Sequence, residues 1–311
     1  MSIVAAIDAG SNTFRLLVAS LEDKGFKDIY TDRSITRLGD GLSISGMLQE
    51  TRMNDSIEAL KKFASICSRY NVEKITAFGT SALREASNAD IFLQKAFEET
   101  GIRIEVLPGK KEAELTLKGI IHAFRYAGYR PPYLIIDMGG GSTEFIFYKG
   151  ANNIKMWSIP IGVIKLCQRY NVSDVITDDE LNNLELEILP VLENLQMQLG
   201  MFLDSNILLA GTAGTFSTIA AIDLGLEEYS REKIHLHTIS LEKLVEMFKE
   251  LISLNLEQRK SVKGLEPERA DLIIPGLLFT IKIMDYLGFS KLIISEYGIL
   301  EGAVLGMSDN I

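Results

Sequence analysis

The chain contains little cysteine, histidine or tryptophan, and it has no long apolar run. Its 311 residues include two cysteines, three histidines and one tryptophan. Two cysteines argue against a disulfide scaffold and favour a reducing, cytoplasmic compartment. The most apolar segment, Leu272 to Met284, is interrupted by Pro275 and Lys282, and no run reaches the ~18 residues that a membrane-spanning helix needs. The composition therefore predicts a globular protein of about two domains, without a membrane partner.

The chain also lacks an excess of positive charge. It has 42 acidic against 32 basic residues, which gives a formal net charge of −10. Because this field repels polyanions, neither nucleic acid nor an anionic membrane surface is an expected partner, and an anionic ligand needs a local basic pocket. The three histidines, His122, His235 and His237, do not have the spacing of a metal-ligand cluster.

The central stretch from Leu134 to Phe147 predicts two strands joined by a tight glycine turn. Its three consecutive glycines let the backbone approach an anion closely and reach positive φ, so that successive N–H groups can converge on phosphate oxygens. Asp137 and Glu144 bracket the turn, and two carboxylates beside a phosphate predict a hard cation such as Mg²⁺ between them. The alternative is a β-hairpin whose glycines only satisfy a turn.

A related motif occurs near the start of the chain. A shift of 129 residues (137 − 8) superimposes Ile7–Val18 on Ile136–Phe147 and matches an aspartate, a glycine and a hydroxyl residue: Asp8 with Asp137, Gly10 with Gly139 and Thr13 with Ser142. A duplicated phosphate hairpin predicts two related lobes that face one cleft. Elsewhere, strands alternate with helices through short loops, which predicts α/β lobes rather than a helical bundle.

Three further segments contain candidate site residues. A predicted strand enters the Gly-Thr-Ser turn of residues 79–81 and is followed by Arg84, a pattern typical of an anion site and equally of a capped helix with a solvated arginine. Gly211 lies in a strand–glycine–helix junction that can contact phosphate. Glu112 lies in the first turn of a predicted helix, where the macrodipole alone favours an acid.

As a set, these motifs resemble the exopolyphosphatase / guanosine pentaphosphate phosphohydrolase family of the actin-like phosphotransferase superfamily. The resemblance covers nearly the whole chain and is to the short, two-domain members. It rests on Asp8-x-Gly-Ser-Asn-Thr-x-Arg15, Arg37-Leu-Gly-x-Gly-Leu42, Thr80-Ser-Ala-x-Arg-Glu-Ala-x-Asn88, Asp137-x-Gly-Gly-Gly-Ser-Thr-Glu144, Pro160-Ile-Gly162, Gly264-Leu-x-Pro-x-Arg-Ala-Asp271 and Gly298-x-x-Glu-Gly302.

The resemblance implies an α/β fold of two actin-like (ribonuclease H-like) lobes that are related by duplication and separated by a cleft. The N-terminal lobe is expected to comprise residues 1–123 and 298–311 and to carry a catalytic glutamate. The C-terminal lobe is expected to comprise residues 124–297 and to carry the glycine-rich phosphate loop.

The resemblance also implies roles for individual residues. Glu112 matches the catalytic carboxylate of the family and is expected to act as base or orienter of the attacking water. Arg84 is expected to offset charge on the transferring phosphoryl group. Asp137 and Glu144 are assigned to the metal. The residues expected to contact phosphate are Ser11, Asn12, Thr13, Gly139, Gly140, Gly141, Ser142, Thr143 and Gly211. Further phosphate candidates, each equally interpretable as a structural ion-pair residue, are Arg37 and Arg269.

The implied activity is Mg²⁺-assisted release of terminal orthophosphate from inorganic polyphosphate, guanosine pentaphosphate or both. Two alternatives stay open at this point. A small-molecule kinase of the same superfamily needs an adenosine pocket and an acceptor site, and a catalytically idle sensor binds guanosine tetraphosphate without turnover. Retention of Glu112 together with both acids favours catalysis, because a sensor does not need them. The oligomeric state is also open, with a homodimer among the alternatives.

Overall fold

The chain divides into two compact α/β units. The computed structural model describes residues 2–23, 25–169, 175–200 and 206–308, with only the backbone of residue 169. The predicted boundary between residues 123 and 124 falls inside a helix, whereas the observed boundary lies in the loop after that helix, because a helix packs as one body. Unit 1 spans Met1–Tyr129, Gly139–Gly141 and Tyr297–Ile311, and unit 2 spans Arg130–Met138 and Ser142–Glu296.

Strands and helices alternate along most of the chain, as the pattern predicts. The strands are β1 (Ile3–Ala9), β2 (Thr13–Glu22), β3 (Gly25–Ile35), β4 (Lys74–Gly79), β5 (Ile104–Val106), β6 (Tyr133–Met138), β7 (Thr143–Gly150), β8 (Asn153–Ile159), β9 (Leu208–Thr212), β10 (Thr238–Ser240) and β11 (Lys291–Ser295).

The helices, together with one 3₁₀ turn at Pro267–Arg269, pack on these strands. They are α1 (Leu42–Ser45), α2 (Glu50–Arg69), α3 (Ser81–Glu85), α4 (Ala89–Thr100), α5 (Gly109–Tyr126), α6 (Val163–Arg169), α7 (Asp178–Leu199), α8 (Gly214–Asp223), α9 (Arg231–Ile234), α10 (Leu241–Ile252), α11 (Leu256–Lys260), α12 (Ile273–Leu287) and α13 (Ile299–Ser308). Within the described part of the chain, no helix combines the length and apolarity needed to cross a membrane.

The two sheets share one strand order, which confirms the predicted duplication. In unit 1 the order is β3-β2-β1-β4-β5, with β2 antiparallel and β4 parallel to β1. In unit 2 the order is β8-β7-β6-β9-β11, with β7 antiparallel and β9 parallel to β6, and β10 is added at the edge. The two predicted glycine hairpins are therefore the equivalent β1–β2 and β6–β7 pairs.

Strand β1 is buried on both faces and so separates two apolar layers of unit 1. One face, with Ala5 and Ile7, packs against α2 and α4, and the other, with Val4 and Ala6, packs against α13. Alternation of side chains along a strand explains this division. Cys67 lies in the first layer, and its burial raises the pKa of the thiol to about 11, so the group stays protonated and unreactive at neutral pH. In unit 2, one continuous core surrounds β6, β7, β9 and α12.

Helices α5 and α13 approach each other through glycines. A Cβ atom on Gly302 would lie 1.9 Å from the carbonyl oxygen of Leu115, and one on Gly119 would lie 2.2 Å from the carbonyl oxygen of Gly298. Real Cβ atoms do not approach other atoms so closely, so any larger residue must push the helices apart. The glycines of the Gly298-x-x-Glu-Gly302 motif therefore have a packing role, and this packing fixes the helix that carries Glu112.

We expect Gly302→Ala to lower the free energy of unfolding by about 1–3 kcal/mol, because the added methyl group overpacks the contact between α5 and α13. Urea denaturation followed by circular dichroism measures this change. Gly306→Ala is the matched control, since a Cβ atom at this position of the same helix would meet nothing within 4 Å. The control should be neutral or slightly stabilising, because alanine has the higher helix propensity. Equal stability of the two variants would contradict the packing role.

Candidate active site

The loop of the first hairpin is braced by hydrogen bonds from two other segments of unit 1. The Ser11 carbonyl oxygen accepts from the Gly39 N–H at 2.8 Å, and the Asn12 carbonyl oxygen accepts from the Thr36 N–H at 3.1 Å. The Ser11 hydroxyl oxygen accepts from the Ala82 N–H at 3.2 Å, at the start of α3. The side-chain amide of Asn12 donates to Thr13 Oγ1 at 3.3 Å. These bonds hold the predicted phosphate residues of this loop in one conformation.

Arg37 contributes to the same brace through its backbone. Its N–H donates to the Asn12 carbonyl oxygen at 2.9 Å, and its φ of +52° places it in the left-handed region. Residues other than glycine enter this region at a cost, which the surrounding structure must offset. The backbone of Arg37 therefore helps to hold the loop of the first hairpin. A role for its side chain in phosphate binding stays a prediction.

The three glycines of the central turn group with unit 1, although the sequence places them in the C-terminal lobe. A Cβ atom on Gly141 would lie 2.3 Å from Ser81 Oγ and 3.5 Å from Ser11 Oγ. The expectation of a positive φ is wrong for Gly141, whose φ lies outside that region. Close approach is instead the reason that only glycine fits. Ser81, which the sequence marked only as part of the Gly-Thr-Ser turn of residues 79–81, thus lies at a junction with two predicted phosphate residues.

The predicted catalytic residues of unit 1 form an ion pair with each other. Arg84 Nη1 donates to Glu112 Oε2 at 2.6 Å and to the Leu107 carbonyl oxygen at 2.8 Å. The side chains are 21% and 12% exposed for Arg84 and Glu112, so the pair is shielded but reachable. Glu112 lies in the first turn of α5, where its N–H donates to the Pro108 carbonyl oxygen at 3.1 Å. This arrangement fixes Glu112 Oε2 relative to α3 and to the Leu107 carbonyl oxygen.

Helix α3 connects this ion pair to the phosphate loops. Ser81 and Arg84 are three residues apart on α3, so they lie on the same side of that helix. Ser81 donates to Glu85 Oε1 at 2.7 Å, which fixes the hydroxyl that faces Gly141. One short helix of unit 1 therefore presents both the loop junction and the ion-pair partner of Glu112, the predicted catalytic carboxylate.

In unit 2, the predicted metal acids face each other across neighbouring strands. Asp137 of β6 and Glu144 of β7 are directly opposite in the antiparallel register. Asp137 is 9% exposed and Glu144 is 1% exposed, and Ser158 of β8 donates to Glu144 Oε1 at 2.8 Å. Carboxylates this close repel each other unless a cation or a proton lies near them.

The side chains around these acids suit an open Mg²⁺ site rather than a closed protein cage. In the described ranges, no three histidine, cysteine or acidic side chains are grouped as a metal cage. Mg²⁺ commonly takes only one or two carboxylates and fills its remaining positions with water and substrate phosphates. Asp137 and Glu144 fit this open type of site, in which the substrate supplies part of the coordination shell.

Two other predicted residues of unit 2, Thr143 and Gly211, have packing contacts that account for them without a ligand. Thr143 Oγ1 donates to the Ile161 carbonyl oxygen at 2.7 Å, and Ser142 is buried beside it. A Cβ atom on Gly211 would lie 2.7 Å from the ring of Phe216, so the strand needs glycine there. Phosphate contacts from these three residues therefore stay predictions, and the Thr143 hydroxyl already has an acceptor.

Arg269 is buried in unit 2 and contacts the start of α8. Its Nε donates to Glu266 Oε2 at 3.1 Å, and its guanidinium lies so close to Gly214 that a Cβ atom there would be 2.3 Å from Nη2. Ala213, the residue before α8, has a φ of +81°. Arg269 therefore forms the structural ion pair, with Glu266, that the sequence allowed as an alternative. A phosphate role for Arg269 stays a prediction.

The sequence analysis used Asp8 only to align the two hairpins. In the structure, Asp8 accepts two hydrogen bonds from the Arg15 guanidinium. Arg15 donates to Asp8 Oδ2 through Nε at 3.0 Å and through Nη2 at 2.6 Å. Asp8 Oδ1 is buried and has no hydrogen-bond partner in the described part of the chain. The repeat offset could have indicated this Asp8–Arg15 pair from the sequence. It places Asp8 at the position of Asp137 and Arg15 at the position of Glu144.

Comparison with known proteins agrees with this architecture. The family model described as the Ppx/GppA phosphatase family matches residues 17–311. A bifunctional 3-dehydroquinate synthase/phosphatase of Fusobacterium nucleatum is 34% identical over 98% of this chain, which spans 46% of that relative. Exopolyphosphatase 2 of Mycobacterium tuberculosis is 29% identical, with 98% of each chain covered. A guanosine-5'-triphosphate,3'-diphosphate pyrophosphatase of Photobacterium profundum is 29% identical over 98% of this chain and 59% of its own length.

A solved structure gives the same result for the fold. The crystal structure of an exopolyphosphatase from Cytophaga hutchinsonii matches with a TM-score of 0.88 at 28% identity, over all of this chain and 99% of that one. The family model and the relatives thus identify a phosphatase, and its two α/β units share one strand order. The chain belongs to the Ppx/GppA phosphatase family.

Proposed function

We propose that this protein hydrolyses the terminal phosphoanhydride bond of inorganic polyphosphate, of guanosine pentaphosphate, or of both. Support comes from membership of the Ppx/GppA phosphatase family and from relatives that are named for these two activities. The two substrates share their reactive part, a terminal phosphoryl group joined through a bridging oxygen to further phosphates. Neither Cys67 nor Cys167 forms a disulfide in the described part of the chain, which fits a reducing compartment. The cytoplasm is the proposed location.

The observation that carries the proposal is the connection made by α3 in unit 1. Ser81 of α3 lies against Gly141, and the Ala82 N–H of the same helix donates to the Ser11 hydroxyl oxygen. Arg84, also on α3, binds Glu112. Phosphoryl transfer depends mainly on positioning and on electrostatic stabilisation, so a base that is held at a fixed distance from phosphate loops suits this chemistry.

In the proposed reaction, a water oxygen attacks the terminal phosphorus while Glu112 accepts a proton from that water. The bond from phosphorus to the bridging oxygen breaks, and its electron pair stays on the shortened phosphate chain. Orthophosphate is the second product. Arg84 keeps Glu112 Oε2 in place, because its Nη1 is itself fixed by the Leu107 carbonyl oxygen.

The proposed cation site is formed by the two facing acids of unit 2. Asp137 and Glu144 would hold a divalent cation, with Mg²⁺ as the proposed ion. When bound, this ion neutralises phosphate charge and supplies Lewis acidity at a phosphoryl oxygen. Ser158 positions Glu144 for this role by donating to Oε1.

A phosphate-release assay that compares polyphosphate, guanosine pentaphosphate and ATP tests the proposed function. We expect release from at least one of the first two substrates to exceed release from ATP. Each reaction is also analysed for phosphorylated acceptors, since transfer to an acceptor instead of water would identify a kinase. Binding of guanosine tetraphosphate with no release from any substrate would identify a sensor and overturn the proposal.

We expect excess chelator to abolish phosphate release and added Mg²⁺ to restore it, because the acidic pair of unit 2 cannot neutralise phosphate by itself. Circular dichroism of the chelated sample is the control, and it should show an unchanged fold. Full activity in excess chelator would contradict the metal role.

A further inference from the structure

Ser11, a predicted phosphate residue, is held from two sides by two segments of unit 1. Its carbonyl oxygen accepts from the Gly39 N–H at 2.8 Å, and its hydroxyl oxygen accepts from the Ala82 N–H at 3.2 Å. A Cβ atom on Gly39 would lie 3.1 Å from Ser11 Cβ and 3.6 Å from Ala82 Cβ, so the two segments adjoin each other here. The position of Ser11 therefore depends on the positions of both segments.

The same two segments are joined again at their far ends. The Leu48 N–H donates to Asn88 Oδ1 at 2.8 Å, and Asn88 Nδ2 donates to the Leu48 carbonyl oxygen at 3.0 Å. Beside this pair, the Ser87 N–H and the Ser87 hydroxyl both donate to the Gly46 carbonyl oxygen at 3.0 Å. Hydrogen bonds therefore tie the two segments together at both ends.

We call segments 39–48 and 82–88, together with Ser11, the Ser11 frame. The second segment includes most of α3 and therefore Arg84, which donates to Glu112 Oε2. The Ser11 frame thus connects a predicted phosphate residue to the partner of the predicted base, and every one of its contacts lies within unit 1.

Asn88 closes the frame with a side chain that is not used to cap a helix. It occupies the N-cap position of α4, where asparagine is preferred because its side chain can accept from a backbone N–H of the first turn. Within the described residues, the Asn88 side chain makes no such bond and is directed to Leu48 instead. Asn88 is only 8% exposed, so both of its bonds to Leu48 are shielded from water.

The bonds to Leu48 require one donor and one acceptor side by side. The asparagine amide has both, whereas an ionised carboxylate has only acceptors, one of which would face the Leu48 carbonyl oxygen. A protonated carboxyl group again has one donor and one acceptor. A carboxyl group introduced at position 88 should therefore close the frame only when it is protonated.

We propose that Asn88 is a positioning residue for phosphate release, because its amide closes the frame that holds Ser11 relative to Arg84 and Glu112. It acts through the frame and not through a contact of its own with the substrate. The proposal rests on the proposed function, since it assigns Asn88 a part in aligning the phosphate with the attacking water.

Asn88→Ala should lower kcat by about 10²-fold, since a displacement of about 1 Å between reacting groups is enough for such a loss. Steady-state phosphate release measures kcat and KM, and KM should change less than kcat. The matched control is Asn54→Ala on α2, because Asn54 is exposed and its Oδ1 accepts from Lys95 Nζ at 2.8 Å. The control should keep native kcat. A native kcat in Asn88→Ala would overturn the proposal.

Asn88→Asp adds a readout that a merely structural residue would not move. At neutral pH this variant should be as slow as Asn88→Ala, because the ionised carboxylate cannot donate to Leu48. Burial raises the pKa of the new carboxyl group above its ordinary value. As the pH falls through that pKa, kcat of Asn88→Asp should rise relative to kcat of Asn88→Ala. Parallel pH profiles of the two variants would show that the amide pattern is irrelevant and would refute the proposal.

Hydrogen exchange at the Gly39 amide tests the frame without using activity. In Asn88→Ala, the Gly39 N–H should lose protection relative to the native chain, while the amides of β6 and β9 in unit 2 keep their native rates. If Asn88→Ala does not fold, the comparison is made between Asn88→Asp at low pH and at neutral pH. An Asn88→Asp chain that stays unfolded at both pH values would overturn the proposal, because the amide would then serve the fold of unit 1 as a whole.

The exchange measurement also separates this inference from the proposed function. A slow Asn88→Ala enzyme with native exchange at Gly39 would overturn the inference and leave the proposed function intact. A native chain that releases no phosphate would overturn the proposed function and, with it, the part of Asn88 in the reaction.

Discussion

Replacement of Glu112 by glutamine should reduce kcat by about 10²–10⁴-fold while KM changes little, because the amide cannot accept the proton of the attacking water. Glutamine has nearly the same shape as glutamate, and its carbonyl oxygen can still accept from Arg84 Nη1, which lies 2.6 Å from Glu112 Oε2. The position of α5 should therefore be retained. Steady-state phosphate release with polyphosphate and with guanosine pentaphosphate measures the effect on each candidate substrate.

The matched control is Glu114→Gln on the same helix. Glu114 is exposed, and its carboxylate lies 3.4 Å from Lys111 Nζ in a surface ion pair of little expected energetic value. This control should keep native kcat and native stability. If Glu112→Gln turned over like the native chain, the glutamate would be only a favourable residue at a helix N-terminus.

Replacement of Arg84 by glutamine should lower kcat by about 10²-fold, since a shift of the base by about 1 Å is enough for such a loss. The sequence assigns Arg84 to the phosphoryl group, whereas the observed contacts attach it to Glu112 and to the Leu107 carbonyl oxygen. We therefore expect Arg84 to act mainly through Glu112, as a positioning residue for the base.

A double-mutant cycle distinguishes these two roles. If Arg84 acts through Glu112, the Arg84→Gln and Glu112→Gln double variant should be no slower than Glu112→Gln alone. If Arg84 contacts the phosphoryl group directly, the two losses should multiply, which would contradict the positioning role. Arg103→Gln is the control in unit 1, because Arg103 is exposed and stacks on the ring of Phe97 at 5.2 Å from its centroid.

The duplication could be predicted from the sequence because it is encoded in local patterns. The repeat offset of 129 residues, found from an aspartate, a glycine and a hydroxyl residue, also describes the strand pairing of both hairpins. Apolar runs around each glycine turn defined the strands, and periodicity of two and of 3.6 separated strands from helices. Asp137 and Glu144 were correctly placed next to each other because the register of a tight hairpin follows from its turn.

Other features depend on contacts between distant residues and were not accessible in this way. Arg84 and Glu112 are paired across 28 positions, and nothing in the local pattern of either segment indicates the other. The structure also adds a reason for glycine that the sequence did not predict, since Gly141 and Gly211 make room for Ser81 and Phe216. A glycine that is needed for packing and a glycine that binds phosphate look the same in a sequence, because both lack a side chain.

The late position of α13 in the chain has a consequence for biosynthesis. This helix covers the face of β1 that carries Val4 and Ala6, and it also packs on α5, the helix of Glu112. A ribosome-bound chain that has not yet reached Tyr297 already contains β1, Arg84 and Glu112, but it exposes this apolar face, a surface of the kind that chaperones bind. Residues 130–296 can meanwhile complete their own core. The helix that carries Glu112, the predicted base, thus acquires this packing partner only after residues 130–296 have been synthesised, so Glu112 is fixed in place late in synthesis.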